Sequence, residues 1–188
     1  MSKEPPSSES NKIMEQIPTM SKGKTIDLVI DHTLYGVTPE MIDWWWDNID
    51  TTERYKLWHP KDHQSFQWEI SPKEGHIGAI HRVVENIGVS TTLRIRWEDP
   101  STSPIPIEFD HALLGSILDR NDNPTSWVLH EYKSIENGTK LRTTFRLPAS
   151  IPKQVIEALR KHNKEEMGEF VNILPRLCEE NKTQLNHV

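Results

Sequence analysis

Cysteine is nearly absent from this sequence, which has one such residue, Cys178, in 188. A lone cysteine cannot form a disulfide within the chain, so the composition fits a reducing compartment and we expect a cytoplasmic protein. No stretch approaches the roughly 20 apolar residues that a membrane-spanning helix needs. The opening segment MSKEPPSSESNK lacks the apolar core of a secretory signal. The sequence therefore predicts no membrane partner.

Positive charge is also scarce. The chain has 22 Lys and Arg against 28 Asp and Glu, a formal net charge of -6, and no long basic block. This excludes nucleic acid as the main partner. Tryptophan and histidine are plentiful, with seven and nine residues respectively. The length suits one domain, so we predict a flexible tail over the Ser- and Pro-rich residues 1–22 and a single domain over 23–188.

A first helix is predicted from Thr38 as N-cap and Pro39 as first helical residue. The spacing of Met41, Trp44, Trp45 and Asn48 places them on one side of that helix. Exposed tryptophans at 44–46 would offer a dimer surface, so a homodimer is possible. From about residue 65 to 147, apolar residues recur at every second position. This alternation predicts strands around Phe66–Ile70, Ile77–Glu85 and Leu93–Trp97. Residues 112–118 fit either a helix or a strand.

The clearest turn signal is Asn137-Gly138, which predicts a two-residue hairpin loop. With that loop, His130 lies opposite Phe145, and Tyr132 lies opposite Thr143. Because side chains alternate along a strand, His130 and Tyr132 share one face of the hairpin. The sequence thus predicts a histidine and a tyrosine on a face that is otherwise apolar or aromatic.

A long helix is predicted over residues 152–174, with Pro175 ending or bending it. His162 and Glu166 are about 40° apart around the helix axis and lie inside its apolar stripe. That stripe consists of Val155, Leu159, Phe170 and Ile173. A buried carboxylate is unfavourable unless it is paired or bound to metal. We therefore expect His162 and Glu166 either to share a divalent cation or to bond to each other. Glu169 competes for the carboxylate role.

Two ligands are too few for a catalytic zinc, which takes about three or four protein groups. The remaining candidates are His59, His63, His76, His81, His111, His130, Glu69, Glu85 and Glu98. Residue types alone do not choose among them. The order of an antiparallel sheet followed by one long amphipathic helix predicts an α+β fold, with the helix laid into a curved sheet.

Five segments in order resemble the 2,4-diacetylphloroglucinol hydrolase family. They are WWWDNIDTTERYKLWHPKDH, HRVVENIG, LRIRWEDPS, HEYKSIENGTKLRTTFRLP and HNKEEMGEFVNILPRLCEE, within residues 35–180. The resemblance implies a helix-grip fold of the Bet v 1 or START type. It also implies hydrolysis of a carbon–carbon bond beside a ketone, with an acylated polyphenol as the aromatic ketone substrate.

The same resemblance implies a set of site residues. His63, Glu85, His162 and Glu166 would bind Zn²⁺, with Glu98 or Glu69 as substitutes for Glu85. Tyr55 and His130 would contact substrate and move protons, Glu166 would be ligand or base, and Trp58 and Phe145 would line the pocket. Phe145 departs from the family, which has a tyrosine there. The alternative hypothesis is a helix-grip protein that only binds a hydrophobic ligand, because one fold hosts many functions.

Overall fold

A computed structural model describes residues 19–185, so residues 1–18 of the predicted tail lie outside the described part. Within this described part, seven strands form one antiparallel sheet, accompanied by three α-helices and a short 3-10 helix, Pro100–Thr102. The strands are β1 (Thr25–Tyr35), β2 (His63–Ile70), β3 (Ile80–Asn86), β4 (Ser90–Glu98), β5 (His111–Leu118), β6 (Pro124–Ile135) and β7 (Gly138–Pro148). The helices are α1 (Pro39–Asn48), α2 (Thr52–Trp58) and α3 (Lys153–Leu185).

The sheet order is β1-β7-β6-β5-β4-β3-β2, so the first two strands in sequence lie at opposite edges. Helices α1 and α2 join these edges, and α3 packs against both of them and against β1. The curved sheet and the long C-terminal helix confirm the predicted helix-grip, α+β fold. No helix among the described residues has the length and apolarity to span a membrane.

Strand β1 adds a seventh strand that the sequence analysis did not predict. It pairs along its whole length with β7, from Thr25↔Pro148 to Tyr35↔Gly138. Just before it, Ser21 is buried, and its hydroxyl accepts a hydrogen bond from the Ser150 amide at 2.9 Å. The ambiguous segment 112–118 belongs to a strand, β5.

The predicted register of the β6–β7 hairpin is wrong by two residues. Ile135 pairs with Gly138, so the loop is Glu136-Asn137, and Asn137 takes the positive φ of 62°. Gly138 is instead required inside β7, because a Cβ there would collide with the carbonyl oxygen of Leu34 in β1. A shift of two keeps every side chain on its predicted face but changes its neighbour across the strands.

Two helix predictions also need correction. On α1 the buried side is Ile42, Trp45 and Trp46, whereas Met41, Trp44 and Asn48 are only half-buried. The exposed Trp surface proposed for a dimer is therefore mostly core. Pro175 lies inside α3, which continues to Leu185. Proline removes the hydrogen bond to the carbonyl four residues earlier, and Val171 at that position is exposed to water.

The main core lies where α1, α2 and α3 meet the sheet, and it is dominated by aromatic rings. Trp45, Trp46 and Trp58 pack against one another and against Phe170 of α3. Trp58 is stacked on Phe170, with ring centroids 5.5 Å apart and planes 6° apart. These rings pack α3 against α1 and α2.

Candidate metal centre

His63, the first residue of β2, has an imidazole whose protonation is fixed by its surroundings. The ring is buried, and Nδ1 lies 3.0 Å from the backbone carbonyl oxygen of Tyr55. A carbonyl oxygen only accepts, so Nδ1 must carry the proton and Nε2 keeps a lone pair. No described group hydrogen-bonds to that buried Nε2. An orphaned buried acceptor of this kind suits a metal ion.

His162 on α3 is oriented in the same way. Its Nδ1 lies 3.1 Å from Oδ2 of Asp62, a carboxylate that accepts the proton of the ring and leaves Nε2 with the lone pair. Burial acts to lower the pKa of His162, but Glu166, Glu85 and Asp62 outweigh it and raise that pKa. A proton and a cation therefore compete for this nitrogen.

Two carboxylates face these nitrogens. Oε2 of Glu166 lies 3.5 Å from Nε2 of His63 and 3.6 Å from Nε2 of His162. Glu85 places Oε2 3.7 Å from Nε2 of His162 and Oε1 4.0 Å from Nε2 of His63. Ligands of a tetrahedral zinc, with bonds of about 2.0–2.1 Å, are about 3.3 Å apart. His63, Glu85 and His162 each offer a ligand atom within 4.8 Å of the other two, and Glu166 faces both imidazoles. These four residues are called here the metal group.

Local structure brings these residues together. His63 and Glu85 are direct partners across β2 and β3. His162 and Glu166 are one helical turn apart, so they project from the same side of α3. All four side chains are buried. The sequence prediction that His162 and Glu166 point inward is thus matched by the structure.

Glu85 and Glu166 are each held by a neutral donor. The Tyr55 hydroxyl donates to Oε1 of Glu85, and its ring lies flat on His63 at 3.9 Å. Burial and the Glu85 charge raise the pKa of Tyr55, which keeps its proton. The Asn163 amide donates to Oε1 of Glu166 at 2.9 Å. Burial would raise the pKa of Glu166, but neighbouring histidines, chiefly His162, lower it to about 2.

A neighbouring trio of His59, Asp62 and His162 has similar spacing but different chemistry. The Asp62 amide donates to Nδ1 of His59 at 3.2 Å, so the proton of that ring is on Nε2. That Nε2 faces Oε2 of Glu165 at 3.3 Å and has no lone pair for a cation. His59 also stacks on His162, with centroids 4.8 Å apart. Asp62 and His59 therefore hold the His162 ring in place, and the trio does not form a second metal site.

The predicted substrate residues are only partly near the metal group. His130 is buried and accepts or donates a hydrogen bond with the Thr143 hydroxyl at 2.9 Å, and burial lowers its pKa to about 4. Trp58 places its edge against His63, with centroids 5.2 Å apart. Phe145 pairs with Val128 instead of His130, and it packs in a separate cluster with Leu28. The residue opposite His130 is Thr143, whose side chain provides a hydroxyl at that position.

The other candidates lie outside the metal group. Glu69 binds Arg82 and Arg94, and Glu98 binds Arg96 and Ser116. His81 accepts from the Trp97 indole, and His76, His111 and Glu169 also have partners elsewhere. Asp62 and Asn163 were not predicted. Asp62 was within reach, because it stands beside His63 in the HPKDH segment, whereas Asn163 needed the tertiary contact to Glu166.

Comparison with known proteins decides the family. The model of the DAPG hydrolase PhiG domain matches residues 19–154. The chain belongs to this family. The matched range includes His63 and Glu85 and ends just after α3 begins, so His162 and Glu166 lie beyond it. The chain is also 24% identical over 182 residues to phloretin hydrolase of Eubacterium ramulus, covering 78% of this chain and 65% of that relative's length.

Solved structures agree on the fold of this family member. Ara h 8.0201 has a TM-score of 0.56 at 13% identity, covering 81% of this chain and 99% of that one. A protein from Nitrosomonas europaea has a TM-score of 0.56 at 14% identity, covering 82% and 97% of the two chains. These likenesses show a Bet v 1-type helix-grip fold.

Proposed function

We propose that the chain is a zinc-dependent hydrolase that removes the acyl group from an acylated, phloroglucinol-like polyphenol. The observation that carries the proposal is the metal group. Two carboxylates lie 3.5–4.0 Å from the Nε2 atoms of two imidazoles, and all four residues are buried. Such a set is costly to bury without a cation, because a buried carboxylate is unfavourable unless it is paired or bound to metal.

The donor set identifies what would be held. Two imidazoles and two carboxylates suit zinc, and also manganese, iron or cobalt. Zinc bound there would polarise the ketone oxygen and lower the pKa of water at the site. His63 and His162 would bind through Nε2, and Glu166 and Glu85 through the oxygens that face those nitrogens.

The net reaction adds water across the bond between ring and acyl carbon. The acyl carbon gains the oxygen of water and leaves as a carboxylic acid, and the ring carbon gains a proton in place of the acyl group. His130 is neutral at pH 7 because burial lowers its pKa to about 4, so it would orient a ring hydroxyl by a hydrogen bond as an uncharged group. Tyr55 holds Glu85 in place, since its hydroxyl donates to that carboxylate. Trp58 packs edge-on against His63 and would line one side of the metal group.

Elemental analysis and turnover test this function together. We expect about one zinc per chain in protein as isolated, and release of free acid and deacylated ring from mono- and diacetylphloroglucinol and from phloretin. His162→Ala should lose both metal and turnover. A protein that contains no stoichiometric metal and turns over none of these ketones would instead be a simple binder of hydrophobic ligands.

A further inference from the structure

A row of buried polar side chains leads from the metal group to His130, between α3 and the sheet. Its members, called here the polar row, are in order Glu166, Asn163, Thr143 and His130, and each is at most 6% exposed. His32 of β1, which is half-buried, contacts the row at Asn163. Consecutive members are joined by hydrogen bonds, so the proton positions along the polar row depend on one another.

The Asn163 amide has one orientation that satisfies its neighbours. Its Nδ2 lies 2.9 Å from Oε1 of Glu166, and an ionised carboxylate only accepts hydrogen bonds. The NH2 group therefore faces Glu166, and Oδ1 faces Nε2 of His32 at 3.1 Å. An amide turned the other way would place two acceptors together. His32 consequently donates from Nε2 and holds the oxygen side of the amide.

The same amide determines what the Thr143 hydroxyl can do. Nδ2 of Asn163 lies 3.4 Å from Oγ1 of Thr143, a longer contact than the one to Glu166. An amide nitrogen only donates, so Thr143 accepts from it and gives its own proton to its other neighbour, Nδ1 of His130 at 2.9 Å. Nδ1 of His130 is then the acceptor, and the proton of the neutral ring is on Nε2.

His130 is held in place as well as in tautomer. Its ring is stacked on Trp46, with centroids 5.4 Å apart and planes 18° apart. Among the described residues only Nδ1 of this ring has a hydrogen-bond partner, so the N–H at Nε2 is free for a ligand. Burial lowers the pKa of His130 and the charge of Glu166 acts against it, which places the ring within electrostatic reach of the metal group.

We propose that Asn163 and Thr143 are positioning residues that make His130 a fixed Nε2–H donor to an oxygen of the polyphenol. The bound oxygen is a hydrogen-bond acceptor, either the ketone oxygen or a ring hydroxyl oxygen, and His130 takes no proton from it. The amide that holds Glu166 toward the two imidazoles thus also orients the histidine that contacts substrate. The identity of the ligand rests on the proposed function, but the position of the proton on His130 is measurable without turnover.

The test determines the tautomer of His130 by NMR on the 15N-labelled full chain as isolated. Long-range correlations between ring carbon protons and ring nitrogens show which nitrogen is protonated, and His130→Gln identifies the signals among those of the nine histidines. We expect the proton of His130 on Nε2. A proton on Nδ1, or a mixture of the two forms, would overturn the proposal without any further variant.

Variants of Thr143 separate its hydroxyl from its shape. Thr143→Val keeps the branched shape but removes the donor to Nδ1, so both tautomers of His130 should appear, and KM for the acylated substrate should rise about five-fold with zinc content unchanged. Thr143→Ser should restore the Nε2–H form and KM. Thr144→Val is the matched control, because Thr144 is also buried but its side chain lies on the opposite face of β7. Equal effects of the two valine variants would refute the role of Thr143.

Asn163→Leu tests the link between His130 and the metal group. Leucine has a similar shape but cannot donate, so Glu166 and Thr143 both lose a hydrogen bond. We expect zinc affinity to fall about ten-fold and the tautomer of His130 to become mixed, with the melting temperature showing that the variant folds. A loss of zinc affinity with an unchanged tautomer would contradict the proposal, since Asn163 would then serve Glu166 alone.

Failure of this proposal and failure of the proposed function give different results. If the protein hydrolyses acylated phloroglucinols but His130 carries its proton on Nδ1, the polar row is refuted as the device that orients His130, and the hydrolase stands. If His130 is protonated on Nε2 and responds to Thr143→Val, but no acylated ring is hydrolysed, the positioning role stands and the activity is refuted.

Discussion

The histidines around the two ends of strand β3 carry their ring proton on different nitrogens. At one end Glu85 faces His63 and His162, whose Nδ1 atoms donate to oxygen and whose Nε2 atoms keep lone pairs. At the other end His81 uses Nδ1 to accept from the Trp97 indole at 2.8 Å, so its proton is on Nε2. The partner of Nδ1, rather than burial alone, decides which imidazole is available to a cation.

Their electrostatic surroundings differ as much as their hydrogen bonds. His81 is enclosed by the rings of Phe66, Trp68 and Trp97, and burial lowers its pKa to about 3. His162 is equally buried, yet its carboxylate neighbours raise its pKa. One region of the sheet therefore surrounds a neutral imidazole with apolar rings, and the other brings together charges that a cation would balance.

The largest expected effect comes from replacing a carboxylate of the metal group. Glu85→Gln should weaken zinc binding and kcat/KM on the order of 1000-fold, because the negative charge that faces the two imidazoles is lost. Glu69→Gln on the neighbouring strand is the control, since Glu69 pairs with Arg82 and Arg94. Zinc content by elemental analysis and initial rates measure both. Retention of full zinc by Glu85→Gln would remove Glu85 from the metal group.

Removal of the metal should destabilise the whole domain. Without a cation Glu85 and Glu166 remain buried, and a ligand at about 100 times its Kd contributes roughly 2.7 kcal/mol. For a domain of this size we expect a fall in Tm of about 5–10 °C on chelation, reversed by added zinc. Differential scanning calorimetry measures it. An unchanged Tm would show that no cation links α3 to the sheet.

The aromatic end of β3 should instead respond to acid. The folded-state pKa of His81 is about 3, below an unfolded value of about 6.5, so the unfolded chain binds the extra proton. This contribution is fully present above pH 6.5 and is lost as pH falls from there toward 3. At pH 5 the loss amounts to about 2 kcal/mol.

His81→Gln tests this while keeping an acceptor for the Trp97 indole. Urea unfolding at pH 8 and pH 5 should show a smaller loss for the variant, by about 2 kcal/mol, than for the natural chain. Contributions from other groups, including metal ligands, cancel in that difference. Identical losses in both proteins would mean that His81 does not titrate as its burial implies.

These regions also show what the sequence could predict. Helical periodicity alone placed His162 and Glu166 inside the stripe of α3, since the angle between positions four apart is fixed. The hairpin register failed because Gly138 is demanded by the close approach of Leu34, a contact between distant strands, and not by the turn. The position of Asp62 beside His63 is visible in the sequence, but its hydrogen bond to His162 is not, since His162 comes from a helix 100 residues later.

The smallest expected effect concerns Asp62, which lies outside the metal group and contacts its member His162. Asp62→Asn should weaken zinc binding about ten-fold, because an amide oxygen is a poorer acceptor for the His162 Nδ1 proton than a carboxylate. Glu165→Gln is the matched control on α3, since Glu165 faces His59 and touches no ligand of the metal group. Competition with a zinc-binding dye measures both affinities. If Glu165→Gln weakens zinc as much as Asp62→Asn, general charge near α3 matters, and orientation of His162 by Asp62 does not.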